Sequence, residues 1–423
     1  MPRGVALDVL DSVLAHRKPL DDTLEAHPDF ARLETRDRAF VRILVATTLR
    51  RLGQIDGLID HCLARPLPAK ATVPRDALRL GAAQLVFLGT PAHAAVDTTV
   101  TLARRRGCGP HAALINAVLR RLSREGHRIA DVQDAPRLNT PDWLWRSWLS
   151  AYGEASARQI ATVHLAEPPL DLTPRRDASA VAAAVGGTVL PTGSVRLEAK
   201  GSISSLPGFA GGDWWFQDAG AALPARLFGD VAGQRVIDLC AAPGGKTAQL
   251  AAAGADVVAI DQSARRLDRL KENLDRLRLR AEIAVADMAS WRPSAPADAV
   301  LLDAPCTATG TIRRHPDVAR LKRPRDVSDL AETQARLLAA AIEIVRPGGT
   351  LVYCVCSLEP EEGEQQIDAV IATGRVRRSP ISVTDVGGLV ELVSSKGDLR
   401  SLPCHLAGAG SIDGFYAARL VRA

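Results

Sequence analysis

Two short stretches of the chain each set a cysteine just beyond an apolar run. They are Asp303-Ala304-Pro305-Cys306-Thr307-Ala308-Thr309-Gly310 and Tyr353-Cys354-Val355-Cys356-Ser357-Leu358-Glu359-Pro360-Glu361-Glu362. A thiol of pKa about 8.5 is only a few per cent thiolate at neutral pH, so a site that uses one must help to deprotonate it. One carbon chemistry open to such a thiolate is addition at carbon 6 of a cytosine ring. Addition turns the ring into an enamine, and carbon 5 can then attack a methyl sulfonium. A base removes the carbon 5 proton and the thiol leaves. A base treated in this way has to be unpaired or flipped out of its stack. Asp303 could hold its edge by accepting from the amino group. A cysteine near a strand is more often a small buried hydrophobe. That reading holds for Cys62 and Cys240 and stays open for Cys354. Cys306 and Cys356 stand apart because both follow strands and both have polar neighbours.

A second constellation lies upstream. Val236-Ile237-Asp238-Leu239 runs into Cys240-Ala241-Ala242-Pro243-Gly244-Gly245-Lys246-Thr247. A glycine turn after a first buried strand is where open α/β sheets bind small cofactors. Glycine lets the backbone approach a ligand closely. The spacing excludes a nucleotide P-loop, because Cys240 stands where its first glycine belongs, and only Gly244-Gly245 is present of a dinucleotide fingerprint. Asp261 follows the next strand and could accept from both ribose hydroxyls. Asp287 follows the third and could meet an adenine amino group. A strand-end Asp is commonly a turn or cap residue, but acids at successive strand ends point to an adenosyl cofactor. Lys246 fits equally as a surface residue at a helix start.

Arg313, Arg314, Arg320, Lys322, Arg323 and Arg325 follow the first cysteine stretch, against Asp317 and Asp326. They read as phosphate contacts that position RNA, or as a solvated loop.

The elements that must carry these residues follow from periodicity. From Gly233 onward, apolar runs at 236–239, 255–260, 284–285, 299–302 and 350–353 alternate with helical stretches, which means βαβ units and a parallel sheet. Residues 1–130 read as helices throughout, for example Val5-Ala6-Val9-Leu10-Val13-Leu14 and Phe40-Ile43-Leu44-Ala46-Thr47. Breakers separate them at Arg65-Pro66-Leu67-Pro68, Gly89-Thr90-Pro91 and Gly107-Cys108-Gly109-Pro110. Residues 131–170 stay mostly helical, with Trp143, Trp145 and Trp148 at helical spacing as packing residues between domains. Short strands with Gly and Pro turns follow from about 170 through Pro207-Gly208. The expected division is an all-α domain over 1–130, a helical linker with a small α+β connector over 131–230, and a Rossmann-like α/β domain over 231–423.

Of the 423 residues, 47% are hydrophobic, which excludes a disordered chain. No apolar run reaches the roughly 18 residues of a membrane helix, and Arg3, Asp8, Asp11, Arg17 and Lys18 interrupt the first twenty residues. The expectation is a cytoplasmic monomer with no membrane partner. Seven scattered cysteines do not make a disulfide framework, and Cys354-x-Cys356 has no second pair at finger spacing, so no metal is expected. Residues 1–130 carry 20 Lys+Arg against 13 Asp+Glu, and the rest 33 against 35. The positive field therefore sits at the N-terminal end, which suits a polyanion.

The three motif blocks, with Arg313-Arg314-His315-Pro316-Asp317 and Phe216-Gln217-Asp218-Ala219, resemble the RNA cytosine carbon-5 methyltransferases of the NOL/NOP2/Sun group. Arg38-Ala39-Phe40, Leu49-Arg50-Arg51, Gln84-Leu85 and Asn116-Ala117-Val118-Leu119-Arg120-Arg121 are similar to the NusB-type helical RNA-binding domain. The pairing looks like the bacterial members that act on small-subunit (16S) rRNA. The resemblance implies S-adenosyl-L-methionine as cofactor, rRNA as partner, Cys356 as nucleophile and Cys306 as the cysteine that assists release. It further implies Cys240, Ala241, Ala242, Pro243, Gly244, Gly245, Lys246, Asp261, Asp287 and Asp303 around the cofactor. The family usually has Thr before its nucleophile, where this chain has Val355. That leaves Cys354 as the rival thiol.

Overall fold

The computed structural model describes residues 2–198 and 205–423; residues 199–204 of the expected connector lie outside them. The chain forms two compact units. One comprises Met1–Glu167 with Ile312–Arg323, the other Pro168–Thr311 with Pro324–Ala423.

The first unit is helical. Its longer helices are Pro2–Leu14, Thr35–Arg50, Leu52–Cys62, Thr72–Ala82, Ala92–Arg105, Ala112–Asp131 and Asp142–Val163. The expected breakers fall between them. The core is built from Val5, Val9, Leu10 and Val13 on the first helix with Leu44, Ile55, Leu58, Ile115 and Leu119. On Thr35–Arg50 the buried face is Val41, Leu44, Val45, Thr48 and Leu49, which shares Leu44 with the expected Phe40-Ile43-Leu44-Ala46-Thr47 set and otherwise lies one position round from it. Ile43 is left exposed. Val41, Val45 and Leu49 complete a helical stripe with Leu44. This compact unit also takes in the residues to Glu167, with Leu144, Trp148 and Ile160 buried in it. Trp148 thus packs within one unit, and Trp145 lies under the guanidinium groups of Arg137 and Arg158.

The second unit holds two sheets. The small one consists of β1 (Leu170–Pro174), β2 (Thr188–Val189), β3 (Val195–Leu197) and β4 (Trp214–Phe216). They pair antiparallel in the order β2-β3-β1-β4. Arg196 grips Asp171 through two bonds of 2.7 Å, and Asp171 also accepts from the amide of Ala219, 3.1 Å away. Removing one partner of such a buried pair costs about 3–5 kcal/mol, because the other charge is left uncompensated.

The large sheet contains β5 (Arg235–Leu239), β6 (Asp256–Asp261), β7 (Glu282–Val285), β8 (Ala297–Asp303), β9 (Val345–Val355), β10 (Val376–Arg378), β11 (Leu399–Ser401) and β12 (Phe415–Arg422). Its order is β10-β12-β9-β8-β5-β6-β7, with β11 on β12. The five expected strands are present and parallel. The sheet is nonetheless mixed rather than parallel, because β12 runs antiparallel between β9 and β10. Leu267, Leu270, Leu274 and Leu277 line the buried stripe of helix Ala264–Leu277, capped by Ser263. Each leucine so buried stabilises the fold by about 1.5–3 kcal/mol. Leu337, Leu338, Ala341 and Ile342 of helix Pro324–Ile344 share a core with Leu302 and Tyr353. These helices fix the strands whose carboxyl ends carry the site.

Candidate active site

β5 leads into the glycine turn. Asp238, near the strand's end, is buried and accepts from Thr247 Oγ1 at 2.6 Å, which ties the strand to helix Gly245–Ala252. Burial pushes Asp238 up to about 7, against that hydrogen bond. Its other oxygen has no protein partner. Gly244 sits at φ +101°, and a Cβ there would come within 2.7 Å of Leu270 Cγ, so the turn requires glycine. Lys246 is buried rather than on the surface. Its Nζ lies 2.6 Å from Asp303 Oδ2 and faces the Phe415 ring. Burial alone would lower its pKa, but the Asp303 carboxylate more than offsets it and holds the ammonium above its ordinary value.

Asp261 ends β6 with its carboxylate buried. Its oxygens accept from the amides of Ala242 (3.2 Å) and Ser263 (2.9 Å), so it joins the glycine turn to the next helix. Asp287 follows β7, exposed, and accepts from the amide of Ala289 at 3.0 Å. Because β7, β6, β5 and β8 are adjacent and parallel, Asp287, Asp261, the Cys240–Lys246 turn and Asp303 lie along one carboxyl edge of the sheet. That edge is where ligands of such folds bind.

The structure brings the two expected cysteines together. Cys306 Sγ and Cys356 Sγ are 3.4 Å apart, both partly exposed, on the loops that leave β8 and β9. The hydrogen bond to Cys356, with burial and the Glu362 carboxylate, pushes the Cys306 thiol well above its ordinary value. Either sulfur can donate in the contact, so the two thiols stand side by side as one hydrogen-bonded pair. Cys354 is fully buried in the core with Val236, Leu301 and Val352, its Sγ 3.5 Å from Asp303 Oδ1. Burial pushes its thiol up as well. The chain leaves β9 at Val355, so Cys356 turns away from the face that holds Cys354. Of the two, Cys356 is partly exposed and Cys354 is buried.

A buried acid network underlies the pair, and the sequence reading did not anticipate it. Glu362 accepts from Thr307 N (2.9 Å), Thr307 Oγ1, Ser357 Oγ (2.5 Å) and Gln334 Nε2 (3.0 Å). Glu359 accepts from Thr309 Oγ1, and burial pushes its carboxyl up to about 7. The residues following both cysteines are thus held by one pair of carboxyl groups. Gly310 donates to Cys356 O at 3.0 Å and packs so closely on Gly414 that a Cβ would meet the Gly414 carbonyl at 2.0 Å.

The basic segment is partly buried: Arg323 and Arg325 are exposed, but its first residues are not. Arg313 and Asp317 are buried in the helical unit, where Arg313 O accepts from Arg50 and Asp317 Oδ2 from Leu20 N. Arg320 donates to Asn139 O at 2.7 Å. Arg313 and Arg320 thus pack the helical unit. Among the described residues no group of three His, Cys, Asp or Glu could hold a metal, and no helix is long and apolar enough to cross a membrane.

Residues 227–421 match the 16S rRNA methyltransferase RsmB/F family model, and residues 1–124 match the NusB family. The chain is 37% identical to the ribosomal RNA small subunit methyltransferase B of Pseudomonas putida, over 100% of this chain and 98% of that protein. It is 34% identical to the protein of the same name from Klebsiella pneumoniae, over 99% and 98%. Of solved structures, a methyltransferase homolog protein from Pyrococcus horikoshii superposes with a TM-score of 0.58 at 26% identity, covering 69% of this chain and 98% of that one.

Proposed function

The chain belongs to the 16S rRNA methyltransferase RsmB/F family, and on that premise we propose that it methylates carbon 5 of a cytosine in small-subunit rRNA through a covalent adduct on Cys356. The observation that carries the reading is the 3.4 Å approach of Cys306 and Cys356 at the edge that holds the glycine turn.

The methyl group is supplied by S-adenosyl-L-methionine. The donor and acceptor set fits that ligand, which presents hydroxyls, an ammonium, a carboxylate and an adenine amino group. Gly244 and Gly245 leave the turn without side chains, Asp261 and Asp287 are acceptors, and Lys246 with Asp303 forms a charged pair. Cys240, Ala241, Ala242 and Pro243 complete the turn that would hold it.

Cys356 adds its sulfur to carbon 6 of the cytosine once its proton has passed to a base. Carbon 5 then takes the methyl group. Loss of the carbon 5 proton re-forms the ring double bond as the carbon–sulfur bond breaks. Cys306, 3.4 Å from Cys356, is placed to assist that release. Asp303 is engaged by Lys246 through one oxygen, so any hydrogen bond to the base amino group falls to the other.

Methyl transfer to unmodified 16S rRNA tests the reading. Cys356→Ala is expected to abolish 5-methylcytosine, mapped by bisulfite, while S-adenosylmethionine still binds. Full activity in that variant refutes it.

A further inference from the structure

Within the helical unit, a cavity of about 20 Å³ is lined by Arg50, Trp148, His164 and Arg320, among other residues. Each of these four has a buried nitrogen without a partner: Arg50 Nε, Trp148 Nε1, His164 Nε2 and Arg320 Nε. Buried polar groups are normally hydrogen-bonded, so four orphans around one cavity need an explanation. Three of the four can only donate.

No residue lining the cavity carries a carboxylate. The acid nearest in charge to Arg320 is Asp56, which Arg79 already holds at 2.8 and 2.7 Å. Glu167, which acts on Arg50, is exposed. The other polar side chains on the wall are engaged: Asn139 with Gln54, and Thr140 with Pro136 O. Trp148 and His164 are buried, their rings edge to face at 5.4 Å. Burial and the charges of Arg50 and Arg313 lower His164 to about 3, so its ring is neutral.

We propose that this cavity is a binding site for a single monatomic anion, chloride in the cell, held by the N–H groups of Arg50, Arg320 and Trp148. The volume admits one water-sized occupant and no oxyanion such as phosphate. Two guanidinium groups with no carboxylate beside them make the cavity positive. A water there would satisfy two donors at most, donating in turn to His164 Nε2, and would leave the charge of the two guanidinium groups unbalanced. A halide accepts from every side and offsets the buried charge. Arg320 comes from the Ile312–Arg323 segment and the other ligands from the first 167 residues, so the ion fastens that segment into the helical unit.

The test is a bromide soak of crystals of the full chain, with thermal melts in chloride against gluconate at equal ionic strength. Expected are an anomalous peak in contact with Trp148 Nε1 and a chloride-dependent rise in Tm on the order of 2–4 °C. Trp148→Phe keeps the ring and removes one donor, and it should lose most of that rise. A cavity holding water only, or a melt indifferent to halide in the parent protein, overturns the site. So does a Trp148→Phe variant with an undiminished rise.

Discussion

Thr307, the residue after Cys306, gives both its amide and its hydroxyl to Glu362, six residues after Cys356. One carboxylate therefore fixes the position of one cysteine loop relative to the other. The same carboxylate takes Ser357 Oγ at 2.5 Å. Donors on both loops thus converge on a single buried group, and the spacing of the two sulfurs follows from it.

Replacing Glu362 with Gln turns one acceptor oxygen into a donor that faces Thr307, Ser357 or Gln334. The mismatch should destabilise the protein by about 1–3 kcal/mol. Methyl transfer should fall at least tenfold with little change in affinity for S-adenosylmethionine. Chemical denaturation and single-turnover kinetics check the two halves separately.

Glu359 and Asp238 predict a pH dependence of stability. Both have folded pKa values of about 7, above their unfolded values near 4. The native state therefore binds more protons than the unfolded state between about pH 4 and pH 7. Their contribution to stability is present below that window and is lost as pH rises through it, by up to roughly 1.4 kcal/mol per pH unit for each group. Glu359→Gln, which mimics the protonated acid, should show a shallower decline between pH 5 and 8 in urea titrations. An unchanged slope means that Glu359 ionises normally.

Lys246→Met removes the cation that pairs with Asp303 and leaves that carboxylate uncompensated at the cofactor edge. Binding of S-adenosylmethionine, measured by calorimetry, should weaken by tenfold or more. Burial of Cys354 should be unaffected, read as its slow reaction with a thiol reagent.

Gly310→Ala would drive a methyl group into the Gly414 carbonyl, a backbone atom that has no room to shift. The expected result is a loss of about 2 kcal/mol or more in stability and a fall in activity, seen by thermal melting and methyl transfer. An Ala variant with normal stability would mean that the loops are not packed as described.

The chemistry of this chain was legible where it depends on residue type in a fixed local pattern. The two cysteine stretches and the glycine turn are of that kind, and the strands that carry them are short apolar runs. Burial of polar residues was not legible. Glu359 and Glu362 stand in a short acidic run, yet both are buried and accept from hydroxyls of a loop some fifty residues earlier. Arg313 and Arg320 read as a basic loop because their partners, Arg50 and Asn139, lie 263 and 181 residues upstream. β12 is harder to read because its apolar start, Phe415-Tyr416-Ala417-Ala418, is broken by Arg419 and holds two alanines, which favour strands weakly. Its place between β9 and β10, not its pattern, makes it a strand. Asp238 was passed over as part of a motif, although its bond to Thr247 holds the motif's shape.

The central claim is that Cys356 forms the bond to RNA and Cys306 releases it. The direct measurement is denaturing electrophoresis of the protein after incubation with unmodified 16S rRNA and S-adenosylmethionine. Cys306→Ala should accumulate a covalent protein–RNA band, and the Cys306→Ala, Cys356→Ala double variant should show none. A band that persists in the double variant would contradict the account.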